Sequence, residues 1–320
     1  MATQTMKAIQ IHQYGGPEVI SYEDVIVPEI KADEVLIKVA ATSFNPVDAL
    51  FRMGALQEIV SQSFPYTPNI DVSGVIEQVG ESITHLKKGD KVFAFLDVSK
   101  NGSAAEYVAS RAIDVVPAPK AISLSDAAAI PASGLTAWQG LFEHGKLKSG
   151  QRVLITAAAG GVGYLAVQLA KWKGAYVLGT AQERSTKILK ELGINEVIHY
   201  EQNNLQEQLS EKVDVILNLA PIEQEETDAL LLLLNEGGVL VSASTKVNSQ
   251  LAEELGVHAI SMITKRNERQ LKQLATLIDE GHLIPFISGR FPLSDLSNVH
   301  AKKAEHKTRG KLLILVNSDL

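Results

Sequence analysis

The sequence predicts an α/β protein in which a doubly wound parallel sheet accompanies a second, partly open antiparallel domain rich in strands. Three observations predict it. A glycine turn, Ala158-x-Gly160-x-x-Gly163, separates a β-branched strand pattern from a helical one. After it, short apolar strands and helices alternate, the pattern of a parallel sheet wound on both faces. Before it, and again at the C-terminal end, the chain reads as strands cut short by turn residues. A length of 320 residues leaves room for two domains of ordinary size.

In the first third, "KAIQIHQYGG", "EVLIKVAATSF", "DVSGVIEQVG" and "DKVFAFL" alternate or run apolar and end at turn residues. Pro28, Pro46, Pro65, Pro68, Pro117 and Pro119 suit loops and would break long helices. From Ser123 a Ser-x-Ser-Asp cap signal opens a helical stretch, broken or kinked at Pro131. Then follow "RVLITA", "VGYLAVQLAKWKG", "YVLGT", "STKILKELG", "EVIHY", "NLQEQLSE", "VDVILNLA", "EETDALLLLLNEGG" and "VLVSAS", strand and helix in turn. The run "ALLLLLN" is expected to be a helix buried under the sheet. In the tail, "NERQLKQLATLIDEGHLI" is an amphipathic helix, "SDLSNVHAKKAEHKTRG" a capped polar helix and "KLLILVN" a terminal strand. The expected division is a nucleotide-binding domain over 123–264, inserted into a domain made of 1–122 and 265–320.

Composition removes several classes of function. Val153 to Ala170 carries no charge, yet its strand, glycine turn and helix that gains polarity do not make one membrane span. The net charge is −7, and the short basic patches "HLKKGDK" and "TKR" lack interleaved aromatics, so no nucleic-acid partner is expected. With no cysteine, thiolate metal sites and cysteine nucleophiles are excluded, and a reducing compartment fits. "MATQTMKAIQIHQYGG" has no long apolar core or cleavage site, so a cytoplasmic location is the expectation.

A strand leading through glycines into a helix aims backbone N–H groups and the helix terminus at a pyrophosphate. Ala158, Gly160, Gly161, Val162 and Gly163 are the candidate contacts, with Gly160 admitting the phosphates and Gly163 admitting the helix. The alternative is a tight packing turn. An acidic anchor for an adenosine ribose belongs about 20 residues further on, where the sequence reads "VLGTAQERS". Thr180 stands at that strand end without a carboxylate. Arg184 offers a bidentate cation to a 2′-phosphate, and Tyr200 offers a hydroxyl. NADPH is the expected cofactor. Glu183 argues the other way, because a carboxylate there would hold a ribose diol, or simply pair with Arg184 on the surface.

The ordered set "FNPVDALFRMG", "IDVSGVIEQVG", "KKGDKVFAF", "GSAAEYV", "IPASGLTAW", "AAAGGVG", "LIDEGHLIPFISGRFPLSDLSNVH" and "RGKLLILV" runs almost end to end. It resembles the zinc-independent quinone oxidoreductase branch of the medium-chain dehydrogenase/reductase superfamily. The resemblance implies a split GroES-like catalytic domain, a Rossmann domain and an active-site cleft between them. Zinc-containing relatives place a cysteine and a histidine near the positions of Asn45 and Ile70, and neither residue here suits zinc. The eight histidines show no HExxH spacing. No metal is expected.

Without a Lewis acid, hydride transfer favours acceptors that already stabilise added charge: quinones, enones and enals. By resemblance, the Asn45 amide donates to the developing oxyanion, its alternative being a turn residue before Pro46. Thr136 resembles a position beside the nicotinamide ribose, or is a helix hydroxyl bonding back to the chain. Asp48 and Arg52 have the i,i+4 spacing of a helical ion pair, with Arg52 otherwise a rim contact to substrate. Asp71 matches an acidic family position and reads as structural. Leu219, Ser242 and Lys311 resemble cofactor-cleft positions. "VLVSAS", near the end of the sheet, is expected to pair across a two-fold axis in a homodimer. The leading expectation is an NADPH-dependent, metal-free reductase of quinones or similar electron-poor carbonyl compounds, by hydride or single-electron transfer. An enone or 2-alkenal double-bond reductase is the alternative within enzymes. A non-catalytic NADPH-binding protein is the alternative outside them.

Overall fold

The computed structural model describes residues 4–60, 63–202, 205–304, 308–317 and 319–320. The chain divides into two units, one of 1–132, 266–281 and 285–320, the other of 133–265 and 282–284. The first begins with strands β1 (Thr5–Ile11), β2 (Ile20–Ile26) and β3 (Glu34–Ser43), then helix α1 (Pro46–Met53). Strands β4 (Asp71–Val79), β5 (Lys91–Phe95), β6 (Tyr107–Arg111) and β7 (Val115–Pro117) follow, with the short helix α2 (Leu124–Ala127). Ser123 caps α2 by accepting the Asp126 N–H, as its cap signal predicts. Pro131 does not kink one helix. It opens a new one, α3 (Pro131–Trp138), where its missing N–H costs nothing.

The second unit holds β8 (Arg152–Ile155), α4 (Gly161–Trp172), β9 (Tyr176–Ala181), α5 (Thr186–Glu191), β10 (Glu196–His199) and α6 (Leu205–Gln208). It continues with β11 (Val213–Asn218), α7 (Gln224–Leu231), β12 (Leu234–Ser242), α8 (Ser249–Glu254) and β13 (His258–Ser261). All six strands are parallel, in the order β10-β9-β8-β11-β12-β13. The chain winds outward from β8 to β10, returns to β11 and winds the other way. Ligands of such sheets bind at the carboxyl ends of the strands where the order reverses, here β8 and β11.

Two expectations change. The leucine run is not one helix: α7 ends at Leu231, and Leu234 already opens β12. Leu230, Leu231 and Leu234 reach the same core from helix and strand in turn. The strand expected to pair across a two-fold axis is interior, bonded to β11 on one side and β13 on the other. With both edges used, β12 has no ladder left for a partner; the edge strands are β10 and β13.

The chain then returns to the first unit with α9 (Glu268–Asp279), β14 (Ile287–Pro292), α10 (Leu296–Ala304) and β15 (Lys311–Leu315). β15 adds antiparallel to β3, giving a sheet ordered β14-β15-β3-β4-β5-β7, with β6 also on β3. Alternate residues of β3, Val35, Ile37 and Val39, face one core with Val72, Ile76 and Val92. The helix expected over "SDLSNVHAKKAEHKTRG" is not polar throughout, since Leu296 and Val299 are buried with Phe44 and Ile314. Its 305–307 part, like residue 204 of "NLQEQLSE", lies outside the described residues. Among the described residues no helix is long and apolar enough to cross a membrane.

The turn after β8 is held by close backbone approach. A Cβ on Gly163 would lie 2.3 Å from the Ala157 carbonyl oxygen and 2.7 Å from the Ala158 Cα. Gly163→Ala is therefore expected to push α4 off the turn and destabilise the protein by about 1–3 kcal/mol, measured by urea denaturation.

Candidate functional site

In the first unit, polar residues converge on one carboxyl group. Asp71 Oδ2 accepts from Ser43 Oγ at 2.6 Å, Asn45 Nδ2 at 2.8 Å and Lys311 Nζ at 3.3 Å, and Oδ1 accepts the Ala132 N–H at 2.7 Å. Four donors on one group match an ionised, acceptor-only carboxylate. Lys311 uses its remaining donors on the Phe44 carbonyl at 3.0 Å and Asn45 Oδ1 at 2.7 Å. Burial pulls this ammonium below its ordinary range, and Asp71 and then Asp48 oppose that. Lys311, expected against a cofactor, is thus an internal counter-ion, 4% exposed with three acceptors for its three N–H bonds.

Asn45 is the N-cap of α1, and its own N–H donates to Asp48 Oδ2 at 2.7 Å. Its side chain is engaged at both ends. Besides the bond to Asp71, Nδ2 has only a long 3.5 Å contact with the Ser43 carbonyl, so that hydrogen is the one open to exchange. Asp48 and Arg52 do not form the expected ion pair. Asp48 bonds back to the helix start, while Arg52 turns to the Gly15 carbonyl and, at 3.3 Å, to His300 Nδ1. Nor does Arg52 sit at a rim, being 4% exposed. His300 packs edge-on against Phe44, and burial, followed by the Arg52 charge, pushes it down to about 3.

In the second unit a corresponding network ties three strand ends together. Thr156 follows β8; its Oγ1 donates to Asn218 Oδ1 at 2.7 Å and accepts the Leu219 and Ala220 N–H groups at 2.8 and 3.0 Å. Asn218 Nδ2 reaches Ser242 Oγ at 3.2 Å and Ser244 Oγ at 3.3 Å. Leu219 is therefore placed by its backbone. Ser242, expected in the cofactor cleft, is buried within the network, its oxygen also accepting the Thr245 N–H. Neither Thr156 nor Asn218 stands out in the sequence, because a Thr and an Asn at strand ends carry no spacing of their own.

Thr180 is pinned to the glycine turn, its hydroxyl accepting the Ala157 N–H at 3.1 Å and its carbonyl the Ala158 N–H at 3.0 Å. Ala158 is fully buried, and its Cβ fills space that a side chain on Gly179 would need, 2.7 Å away. The missing first glycine is thus matched by a glycine on the next strand. Gly160 caps α4 without a side chain, leaving the half-buried Gly161 and Val162 at the helix start. This cradle at the switch point fits the pyrophosphate of a nicotinamide dinucleotide. Beyond β9, Tyr200 is exposed, bonded to Gln182 and within the field of Arg184. Thr136 lies on α3, its hydroxyl 2.7 Å from that of Thr264.

Lys311→Met leaves Asp71 with an uncompensated buried charge and is expected to cost about 3–5 kcal/mol in urea denaturation. For His300, the folded value lies below the unfolded one, near 6.5. Its contribution is complete above pH 6.5 and is lost as pH falls towards about 3, because the unfolded chain binds the extra proton. The acid limb of the stability profile should flatten in His300→Phe.

The family described as "Alcohol dehydrogenase GroES-like domain" matches residues 31–120, and that described as "Zinc-binding dehydrogenase" matches 192–314. Among the described residues no three His, Cys, Asp or Glu side chains are grouped to hold a metal ion. At Asn45 and Asp71 the oxygens already face the Lys311 ammonium, so the residues present do not fit a zinc ion. The chain is 33% identical to the quinone oxidoreductase of Mus musculus, over 99% of its own length and all of that protein. It is 32% identical to a chloroplast envelope quinone oxidoreductase homolog of Arabidopsis thaliana, covering 98% and 99%. The solved quinone oxidoreductase from Coxiella burnetii superposes with a TM-score of 0.90 at 32% identity, covering 98% of this chain and all of that one. Fold and sequence together imply a nicotinamide cofactor. The chain is an oxidoreductase and belongs to the quinone oxidoreductases of the medium-chain dehydrogenase/reductase superfamily.

Proposed function

We propose that the protein is an NADPH-dependent reductase of quinones or similarly electron-poor carbonyl compounds, working without a metal. The carrying observation for NADPH is the end of β9. Thr180 there is committed to the glycine turn, no carboxylate takes its place, and Arg184 and Tyr200 share a surface just beyond it. A guanidinium with a neighbouring phenol suits a 2′-phosphate dianion better than a ribose diol. The quinone assignment is supported by the relatives' names and by the chemistry of an acceptor that needs no Lewis acid.

The bound cofactor would supply the hydride. Gly160, Gly161, Val162 and Gly163 would hold its pyrophosphate, and the Thr156–Asn218 network would fix the Leu219 backbone beside it. The Asn45 Nδ2 hydrogen that only weakly contacts Ser43 is the donor available to an acceptor oxygen. Lys311 and Asp71 keep the amide turned that way. A homodimer formed through an edge of this sheet would use β10 or β13.

Turnover of benzoquinone or a short enal after chelator treatment tests this reading. NADPH should be oxidised at least tenfold more efficiently than NADH, and product analysis separates carbonyl from double-bond reduction. Arg184→Ala is expected to raise the KM for NADPH about 10- to 100-fold, a loss of about 1.4–2.7 kcal/mol, with KM for NADH unchanged. A panel of acceptors giving no turnover overturns the proposal.

A further inference from the structure

One cavity in the first unit is lined by groups that the reaction does not use. Asp48, Phe51, Tyr66, Asn69, Ile70 and Val98 are among the residues lining about 20 Å³ there, in a recess partly open to solvent. Three buried polar atoms of these residues have no hydrogen-bond partner: Asp48 Oδ1, Tyr66 Oη and Asn69 Oδ1. Their residues are 2%, 4% and 2% exposed. A buried polar atom without its hydrogen bond is destabilising, and three such atoms around one recess share a single remedy. A water needs about 10–15 Å³ and two to four polar partners. The cavity offers both.

The polarity of the partners is set by their other bonds. Asn69 donates its Nδ2 to the Ser43 carbonyl at 3.0 Å, which turns Oδ1 to the acceptor role. Asp48 Oδ2 is taken by the Asn45 N–H, so Oδ1 is the oxygen left for a proton. Tyr66 Oη either donates or accepts. We infer that Asp48, Tyr66 and Asn69 form a site for one buried water, which accepts a hydrogen bond from Asp48 as the neutral acid. The water donates to Asn69 Oδ1 and exchanges a donor with Tyr66.

Charge balance supports the acid form. Asp71 already neutralises Lys311, so an ionised Asp48 would add an unpaired negative charge to the same cluster. Burial above all, with Asp71 adding and the Asn45 bonds and Lys311 opposing, pushes Asp48 up to about 8. The other charged or titratable groups around the cavity are Lys100, paired with Glu34, and Tyr66, itself pushed up by burial with Asp48 next and Arg52 opposing.

Nuclear magnetic resonance of the whole protein tests the site. A long-lived water should cross-relax with the Asn69 side-chain amide, and the Asp48 carboxyl carbon should titrate near pH 8. Val98→Leu adds one methylene to the lining and leaves Asp48, Tyr66 and Asn69 themselves unchanged. It should abolish the water signal and move the Asp48 midpoint higher. If that variant fails to fold, Tyr66→Phe should weaken the signal in the same direction. In urea denaturation, stability should fall as pH rises from about 4 to about 8 and level off above, and Asp48→Asn, which keeps the acceptor for Asn45, should lose that decline. No long-lived water in the parent, a signal that survives Val98→Leu, or an Asp48 midpoint near 4 would overturn the inference.

Discussion

The carboxyl group of Asp71 is the point on which the first unit depends. It is fully buried at the start of β4 and gathers the end of β3 through Ser43, the cap of α1 through Asn45, the start of α3 through Ala132 and the start of β15 through Lys311. Hydrophobic contact alone does not fix the register of such elements, because apolar packing is non-directional. A charged acceptor with four donors does, since every lost bond leaves a buried polar group unmade. The same bonds orient the Asn45 amide. The group that holds the fold together is therefore also the one that decides which way the candidate oxyanion donor points.

The second unit uses a neutral version of the same device. Thr156 and Asn218 join the ends of β8, β11 and β12 where the strand order reverses. A neutral network suits that place, for a buried charge beside the candidate pyrophosphate cradle would bias the very field that the helix N-terminus supplies. Close backbone packing does the rest. Gly163 lets the helix approach, and Gly179 makes room for Ala158.

What the sequence made legible follows from how local each signal is. The alternation of strand and helix, the glycine turn and the return of the tail are carried by residues near one another, and the structure has the parallel and antiparallel sheets they imply. Local spacing is silent where the deciding contact is remote. The i,i+4 spacing of Asp48 and Arg52 suggested a pair, but Gly15 and His300 hold the guanidinium. Ser242 and Lys311 sit at positions that a resemblance marks, yet their polar atoms turn inward to partners that no spacing announces. β12 does lie near the end of its sheet, but β13, four residues long and half polar, covers its outer edge. Tyr66 and Asn69 gave no signal, since a shared cavity exists only once the chain is folded.

The ion pair between Asp71 and Lys311 spans 240 residues of sequence. On a ribosome, β4 is therefore made long before the strand that neutralises it. The whole of the second unit, whose sheet pairs only strands from β8 to β13, emerges in between and has its own core. Domains generally fold as units during synthesis. The inserted unit is thus free to mature first, while the surrounding one waits with β3 unpaired along the edge that β15 will cover. For that interval the nascent protein carries an open strand and an uncompensated carboxylate, and the last strand made closes both.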